Sequence, residues 1–338
     1  MVNIEFPDKT RKKFTSGTNA LNIATSISEG LARNVLAVQV NGITVDATQT
    51  LPDNELLKIK LLTWNDQEGK NTMWHSSAHL MAEAIQYFYP DVKFAIGPPI
   101  ENGFYYDMEF PLGVSFSSDD FIKIEQKIIE LAQQKNNYII SNVTKSDAIK
   151  YFKKKNNQYK LELIDKLKDE EITFYQQGDF IDLCKGPHIP NTRFIKAVKL
   201  TSVAGAYWKG DENNVQLTRV YGITFPKKKE LDSYLIKLEK AKEQDHRKIG
   251  KNMSLFMFSQ KVGQGLPLWL PKGAYLRDRL IQFMKKTQLK FGYQPVITPH
   301  IGSKELYVCS GHYEKYGEDS FQPIKTPDEN EEFFLKPM

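Results

Sequence analysis

Two cysteines in 338 residues cannot build a disulfide framework, and that scarcity points to a reducing compartment. No stretch nears the roughly 18 consecutive apolar residues of a membrane span. The opening MVNIEFPDKT lacks the apolar core of a signal peptide. These absences predict a cytoplasmic protein. Charge of one sign is also scarce: 46 Lys and Arg against 41 Asp and Glu leave a net +5, so where the excess sits matters more than its size. Internal repeats and low-complexity tracts are absent. What remains is a composition of 41% hydrophobic and 12% aromatic residues, which describes a folded chain rather than a disordered one. Its length exceeds what one ordinary core organises, so two to four domains are expected.

The pattern predicts an α+β, multidomain chain. Residues 1–63 read as a β-rich unit. Val2, Ile4 and Phe6 alternate, and Ala37–Val45 forms a hairpin turning at Asn41-Gly42. Thr18 is placed to cap a helix carrying Leu21, Ile23, Ala24 and Ile27. Leu57, Ile59 and Leu61 alternate with lysine in a last strand, giving a β-grasp arrangement. Residues 65–71 read as a polar linker. Across 72–225 helices and strands mix: a helix from about Met73 to Tyr89 ending before Pro90, and a strand over Gly103–Phe110. A helix opened by Ser117–Asp120 follows, with Phe121, Ile124, Ile128 and Leu131 buried. Another helix starts at Ser146, and strands follow at Phe180–Cys184 and Ile195–Val203. Residues 226–253 read as one basic linker helix with Leu231, Leu235, Leu238 and Ala241 as its apolar positions. A last unit, 254–338, begins with a helix around Leu276, Leu280, Phe283 and Thr287, then a strand across Phe291–Pro299.

From Lys227 to Lys251 there are nine Lys or Arg against five Asp or Glu, so most of the net charge lies in that helix. It fits either a face toward nucleic acid or a solvated helix laced with ion pairs.

The densest chemistry lies elsewhere. His75-x-x-x-His79 puts two imidazoles one turn apart on one helical face. Cys184-x-x-x-His188 has the same spacing, but Gly186-Pro187 between them forbids a regular helix and places the pair on a turn after a strand. Three readings stay open. The four side chains make a tetrahedral zinc set; or neutral histidines orient water and carry its proton without metal; or they pack, satisfied by backbone partners. A zincin protease is excluded because His75-Ser76-Ser77-Ala78-His79 has no glutamate at its second position. Cys184 as a papain-type nucleophile rests on too little. Asp182 shares a strand face with Cys184 and is placed to orient an imidazole. Lys160 reads either as an exposed lysine or as a contact for a phosphate or ribose hydroxyl.

Taken in order, these blocks resemble the threonyl-tRNA synthetases, a family of class II aminoacyl-tRNA synthetases. The resemblance runs through His75-x-x-x-His79-Leu80, Ala95-Ile96-Gly97-Pro98, Asn102–Asp107 and Asp182–His188. It continues through Gly205–Asp211 and Asp245–Gly250. It implies a TGS domain over 1–63, an editing domain over 72–225, a linker helix over 226–253, and the N-terminal part of a class II catalytic domain, an antiparallel-sheet fold, over 254–338. It implies that His75, His79, Lys160, Asp182, Cys184 and His188 line a site hydrolysing mischarged seryl-tRNA(Thr), with Tyr105 or Tyr106 as a wall. That hydrolysis is understood to need no metal, although the related alanyl-type editing domain holds zinc at similar positions. Serine is threonine less one methyl, and a missing methylene is worth only roughly 1–3 kcal/mol of discrimination, so a second site must destroy the product.

Gly292–Pro299 resembles class II motif 1, implying a homodimer. Motifs 2 and 3, with the Mg-ATP site and the first ligand of a threonine-recognising zinc, are expected beyond Met338. No metal ligand set for aminoacylation is therefore expected within the chain. Partners implied are tRNA(Thr), threonine and ATP. Cys309 stands where the family more often has threonine. The rival readings are a non-catalytic RNA-binding fragment and a zinc-dependent, alanyl-type hydrolase.

Overall fold

The computed structural model describes residues 1–53, 55–316, 321–327 and 331–336, with Glu170 through its backbone only. Pro337 and Met338, where the expected chain stop falls, lie outside the described residues. The chain divides into two compact units, Met1–Glu239 and Lys240–Met338.

The first unit opens with strands β1 (Val2–Glu5) and β2 (Arg11–Phe14), then helices α1 (Ala20–Ile27) and α2 (Glu29–Ala32). Strands β3 (Ala37–Val40), β4 (Ile43–Asp46) and β5 (Leu56–Leu62) complete a sheet in the order β2-β1-β5-β3-β4. β1 and β5 run parallel and the other neighbours antiparallel. Val2, Ile4, Leu57 and Ile59 close one face over Ile23 and Ala24, as strand alternation requires. Asn41 and Gly42, both at positive φ, make the two-residue turn between β3 and β4. Two details depart from expectation. Asn19, not Thr18, caps α1 by accepting from the Asn22 N–H; Thr18 is buried one residue too early. Ile27 lies in solvent, because the short helix turns it away from the sheet.

The central element is α3 (Gln67–Phe88), which starts six residues before the predicted point. Residues 67–71 are therefore helix, not linker. The Asp66 carboxylate ties the entry by accepting from the Thr63 N–H and pairing with Lys60. Gly69 lets the first turn lie against the Thr63 carbonyl, where a Cβ would collide. Although rich in serine, α3 is buried nearly all round. Thr72, Ser76 and Ser77 each donate to the carbonyl one turn back, so their hydroxyls are satisfied within the helix.

Strands β6 (Lys93–Phe94), β7 (Pro99–Ile100) and β8 (Gly103–Glu109) follow, then α4 (Phe121–Gln133), β9 (Ile139–Asn142), α5 (Lys145–Lys154) and α6 (Gln158–Asp165). Next come β10 (Thr173–Gln177), β11 (Phe180–Leu183), β12 (Ala197–Tyr207) and β13 (Gln216–Phe225). The larger sheet runs β12-β13-β8-β6, with β7 on β8, and the smaller runs β11-β10-β9. Phe121, Ile124, Ile128 and Leu131 of α4 are buried as predicted. Thr144 rather than Ser146 caps α5, accepting from the Asp147 N–H. α3 is fixed to the larger sheet by Trp74 donating to the Thr224 carbonyl and by Ser77 sharing a hydrogen bond with the Thr224 hydroxyl.

The basic segment is two helices, not one: α7 (Lys228–Glu243) and α8 (His246–Asn252). Asp245 breaks the run by capping α8 through the Arg247 N–H. Leu231 packs into the core of the first unit, and the lysines of α7 are exposed. In the second unit β14 (Phe256–Met257) pairs with β15 (Leu268–Trp269), and α9 (Pro271–Lys290) follows. Leu276, Leu280 and Phe283 of α9 are exposed. Then come β16 (Ile301–Ser303), α10 (Lys304–Cys309), α11 (His312–Tyr316), β17 (Ile324–Lys325) and β18 (Glu332–Leu335), with sheet order β16-β18-β17. The strand predicted over Phe291–Pro299 does not form. Pro295 and Pro299 each remove a ladder donor, and the segment is exposed throughout.

Candidate active site

α3, the turn after β11, β7 with its approach, and α6 surround a cavity of about 550 Å³ in the first unit. That size lies within the roughly 300–1,000 Å³ used by small-molecule sites. Ile96, Pro98, Pro99 and Leu163 supply apolar wall; His75, His79, Lys160, Asp182 and Cys184 supply the polar part. Glu68 and Asn71, assigned from sequence to a linker, line it too.

His188 lies behind this wall, 1% exposed, enclosed by rings. Its centroid is 4.3 Å from His75, 4.4 Å from His79 and 4.4 Å from Tyr175, and Tyr138 stacks parallel to it at 4.9 Å. Hydrogen-bond accounting assigns two tautomers. His75 Nδ1 meets the Pro187 carbonyl at 3.2 Å, which only accepts, so Nδ1 carries the proton and Nε2 is bare. The Ser76 hydroxyl gives its one proton to the Thr72 carbonyl and accepts from the Ile189 N–H. His188 Nδ1, 3.0 Å from that hydroxyl, must therefore donate, leaving its Nε2 bare as well. Both Nε2 atoms lie 3.3 Å from Cys184 Sγ. One thiol proton cannot serve two acceptors. His79 Nδ1 also has no partner. The cluster holds more acceptors than donors, and a water or a cation is what would balance it.

Burial sets the charge state. Desolvation draws His75 down to about 4 and holds His79 and His188 well below their usual range, so all three are neutral near pH 7. Burial pushes the Cys184 thiol up to about 12, and the Gly186 N–H on its sulfur offsets only part of that. Lys160 is not an exposed lysine. It is 2% exposed, and its Nζ lies 2.6 Å from Asp182 Oδ1. Asp182 also accepts from the Leu183 N–H and the Tyr106 hydroxyl. It stands 3.9 Å from His79 Nε2, too far for a hydrogen bond.

Tyr106 is buried behind Asp182, and Tyr105, on the opposite face of β8, packs against Arg219 and Tyr221. The structure thus brings together His75, His79, Lys160, Asp182, Cys184 and His188, with Tyr106 behind them and Tyr105 outside. Sequence reasoning missed Ser76, Tyr138, Tyr175 and Asp46, all of which hold His188. Ser76 was legible in principle, being one position from His75 on the same helix.

The donor set also fits a metal. The ligating atoms of His75, His79, Cys184 and His188 lie within 4.8 Å of one another, and the Nδ1–H groups of His75 and His188 are held by oxygen partners, as ligating histidines usually are.

Comparison with known proteins gives the geometry a context. Residues 172–221 match the threonyl and alanyl tRNA synthetase second additional domain, and residues 2–61 match the TGS domain. A threonine–tRNA ligase of Cytophaga hutchinsonii is 60% identical over 338 residues, covering 100% of this chain and 52% of that protein. The chain belongs to the threonyl-tRNA synthetase family. A threonine–tRNA ligase of Azobacteroides pseudotrichonymphae is 57% identical, with the same coverage. The chain thus spans about half the length of the curated relatives it matches. A solved RNA binding domain of threonyl-tRNA synthetase from Cryptosporidium parvum aligns at 38% identity and TM-score 0.26 over 28% of this chain and 23% of that one, too limited an overlay to bear on the fold. Among the described residues no helix is long and apolar enough to cross a membrane.

Proposed function

We propose that this chain carries the proofreading site of a threonine–tRNA ligase and hydrolyses mischarged seryl-tRNA(Thr). The supporting observation is the pair of bare Nε2 atoms, on His75 and His188, that share a single thiol proton at the base of the cavity. A water seated there donates to one Nε2, and its oxygen attacks the ester carbonyl. The ester C–O bond breaks, serine leaves as the acid, and the tRNA terminal hydroxyl recovers the proton. The neutral imidazoles suit this role because they accept at physiological pH. Lys160, held by Asp182, keeps ammonium donors for the terminal ribose; His79 and Cys184 complete the wall. No cofactor is needed for this step.

The family context extends the proposal. Partners are tRNA(Thr), threonine and ATP, with the exposed lysines of α7 facing RNA and a homodimer formed through the class II part. Mg-ATP and the threonine-recognising zinc belong to that synthetic activity. A cytoplasmic location follows from the same role.

A second reading has its own support, since the four donor atoms are close enough to converge on one ion. Three of His75, His79, Cys184 and His188 would hold zinc, with the fourth position left to a water that the ion would activate as a Lewis acid; all four together, with Cys184 giving up its proton, would close a structural site instead. One experiment separates the readings. The chain is incubated with seryl-tRNA and threonyl-tRNA, with and without a chelator. Selective, chelator-resistant loss of serine is expected. Activity lost together with stoichiometric zinc supports the metal reading, and RNA binding without deacylation defeats both.

A further inference from the structure

The β-grasp sheet reaches into the hydrolytic site. On β4, Val45 packs into the β-grasp core, so Thr44 and Asp46 face the other way. Thr44 lines the cavity, and Asp46 is buried behind it, 6% exposed. The Asp46 carboxylate accepts from two donors: the His188 backbone N–H at 2.6 Å and the Tyr175 hydroxyl at 2.8 Å. Tyr175 in turn covers the His188 ring, and Gly186 presses so close to the Tyr175 hydroxyl that a Cβ would overlap it. One carboxylate from the β-grasp sheet thus fixes both the backbone of the Gly186–His188 turn and the ring that packs on the imidazole.

We propose that Asp46 is a positioning residue for the hydrolytic site, and that the β-grasp domain is a working wall of it rather than an appended module. The proposal rests on the hydrolytic reading given above. Neither donor reaches the reacting atoms, so the contribution of Asp46 is geometric. It keeps His188 Nε2 at its distance from Cys184 and beside His75. Outer-shell partners of metal-ligating histidines are worth about 10–100-fold in activity, and Asp46 stands in a comparable supporting position behind His188.

The test uses the whole chain. Asp46→Ala is expected to lower kcat for seryl-tRNA deacylation by about 10–100-fold with KM within about twofold. Asp46→Asn, which keeps one acceptor oxygen, recovers most of it. Tyr175→Phe removes one donor while keeping the ring; it serves if Asp46→Ala does not fold, and a several-fold loss of kcat is expected. Imidazole nitrogen NMR is read in parallel: in Asp46→Ala and Tyr175→Phe the His188 signals shift while those of His246, His300 and His312 do not. Unchanged kcat and unchanged His188 signals in a folded variant overturn the proposal. If the wild-type chain does not deacylate at all, the hydrolytic reading falls, and the His188 signals still decide whether Asp46 positions that ring.

Discussion

Six histidines and two cysteines are divided evenly between the two units, and they live in different worlds. In the first unit His75, His79, His188 and Cys184 face one another within 4.8 Å. In the second, His246, His300, His312 and Cys309 stand in solvent. The side chains are chemically identical. What separates them is a buried helix and a tight turn that strip water from one set and leave it on the other. Desolvation makes three imidazoles neutral and one thiol reluctant to ionise, and under the proposed function the short supply of protons among them is where a water would react.

The contrast should be widest in thiol chemistry. Raising a thiol from 9 to about 12 removes on the order of a thousandfold of its thiolate. An alkylating reagent is expected to modify Cys309 at least about a hundredfold faster than Cys184. Mass spectrometry of partly labelled protein measures this, and equal rates would mean that the cavity is wetter than described.

Next in size is the ion pair of the cavity wall. Lys160→Ala leaves the Asp182 carboxylate buried and unmatched by charge, and should cost about 3–5 kcal/mol in denaturant unfolding. Lys150→Ala, at the exposed pair with Asp147, should cost under about 1 kcal/mol. Similar losses at both sites would erase the distinction between buried and solvated pairs.

A smaller effect appears in pH dependence. Glu83, 6% exposed, is pushed by burial to about 7. The folded state therefore binds the extra proton between about 4.5 and 7, and this contribution is lost as pH rises through the folded value. The buried histidines have the opposite sign: stability is full above about 6.5 and falls as pH drops toward 4. Subtracting Glu83→Gln from wild type isolates the first. That difference should shrink by about 2–3 kcal/mol from pH 4.5 to 7.

Elements whose structure is local were legible in the sequence. The Asn41-Gly42 turn, the buried stripe of α4 and the two four-residue His and Cys spacings all formed where the pattern placed them. Errors fell where tertiary contact overrides local preference. The polar stretch 67–71 became helix because Asp66 and Gly69 lock its entry against Thr63. Phe291–Pro299, expected as a strand, contains two prolines. The holders of His188 were hidden for another reason. Asp46 is 142 residues away in sequence, and nothing in Ile43-Thr44-Val45-Asp46 distinguishes a buried acceptor from an ordinary strand end.

The central claim is that the first unit's histidines do chemistry that the second unit's do not. Single-turnover deacylation of seryl-tRNA by His75→Ala and His312→Ala tests it directly. The account predicts a loss of about 100-fold or more for His75→Ala and a wild-type rate for His312→Ala. A wild-type rate in both would contradict it.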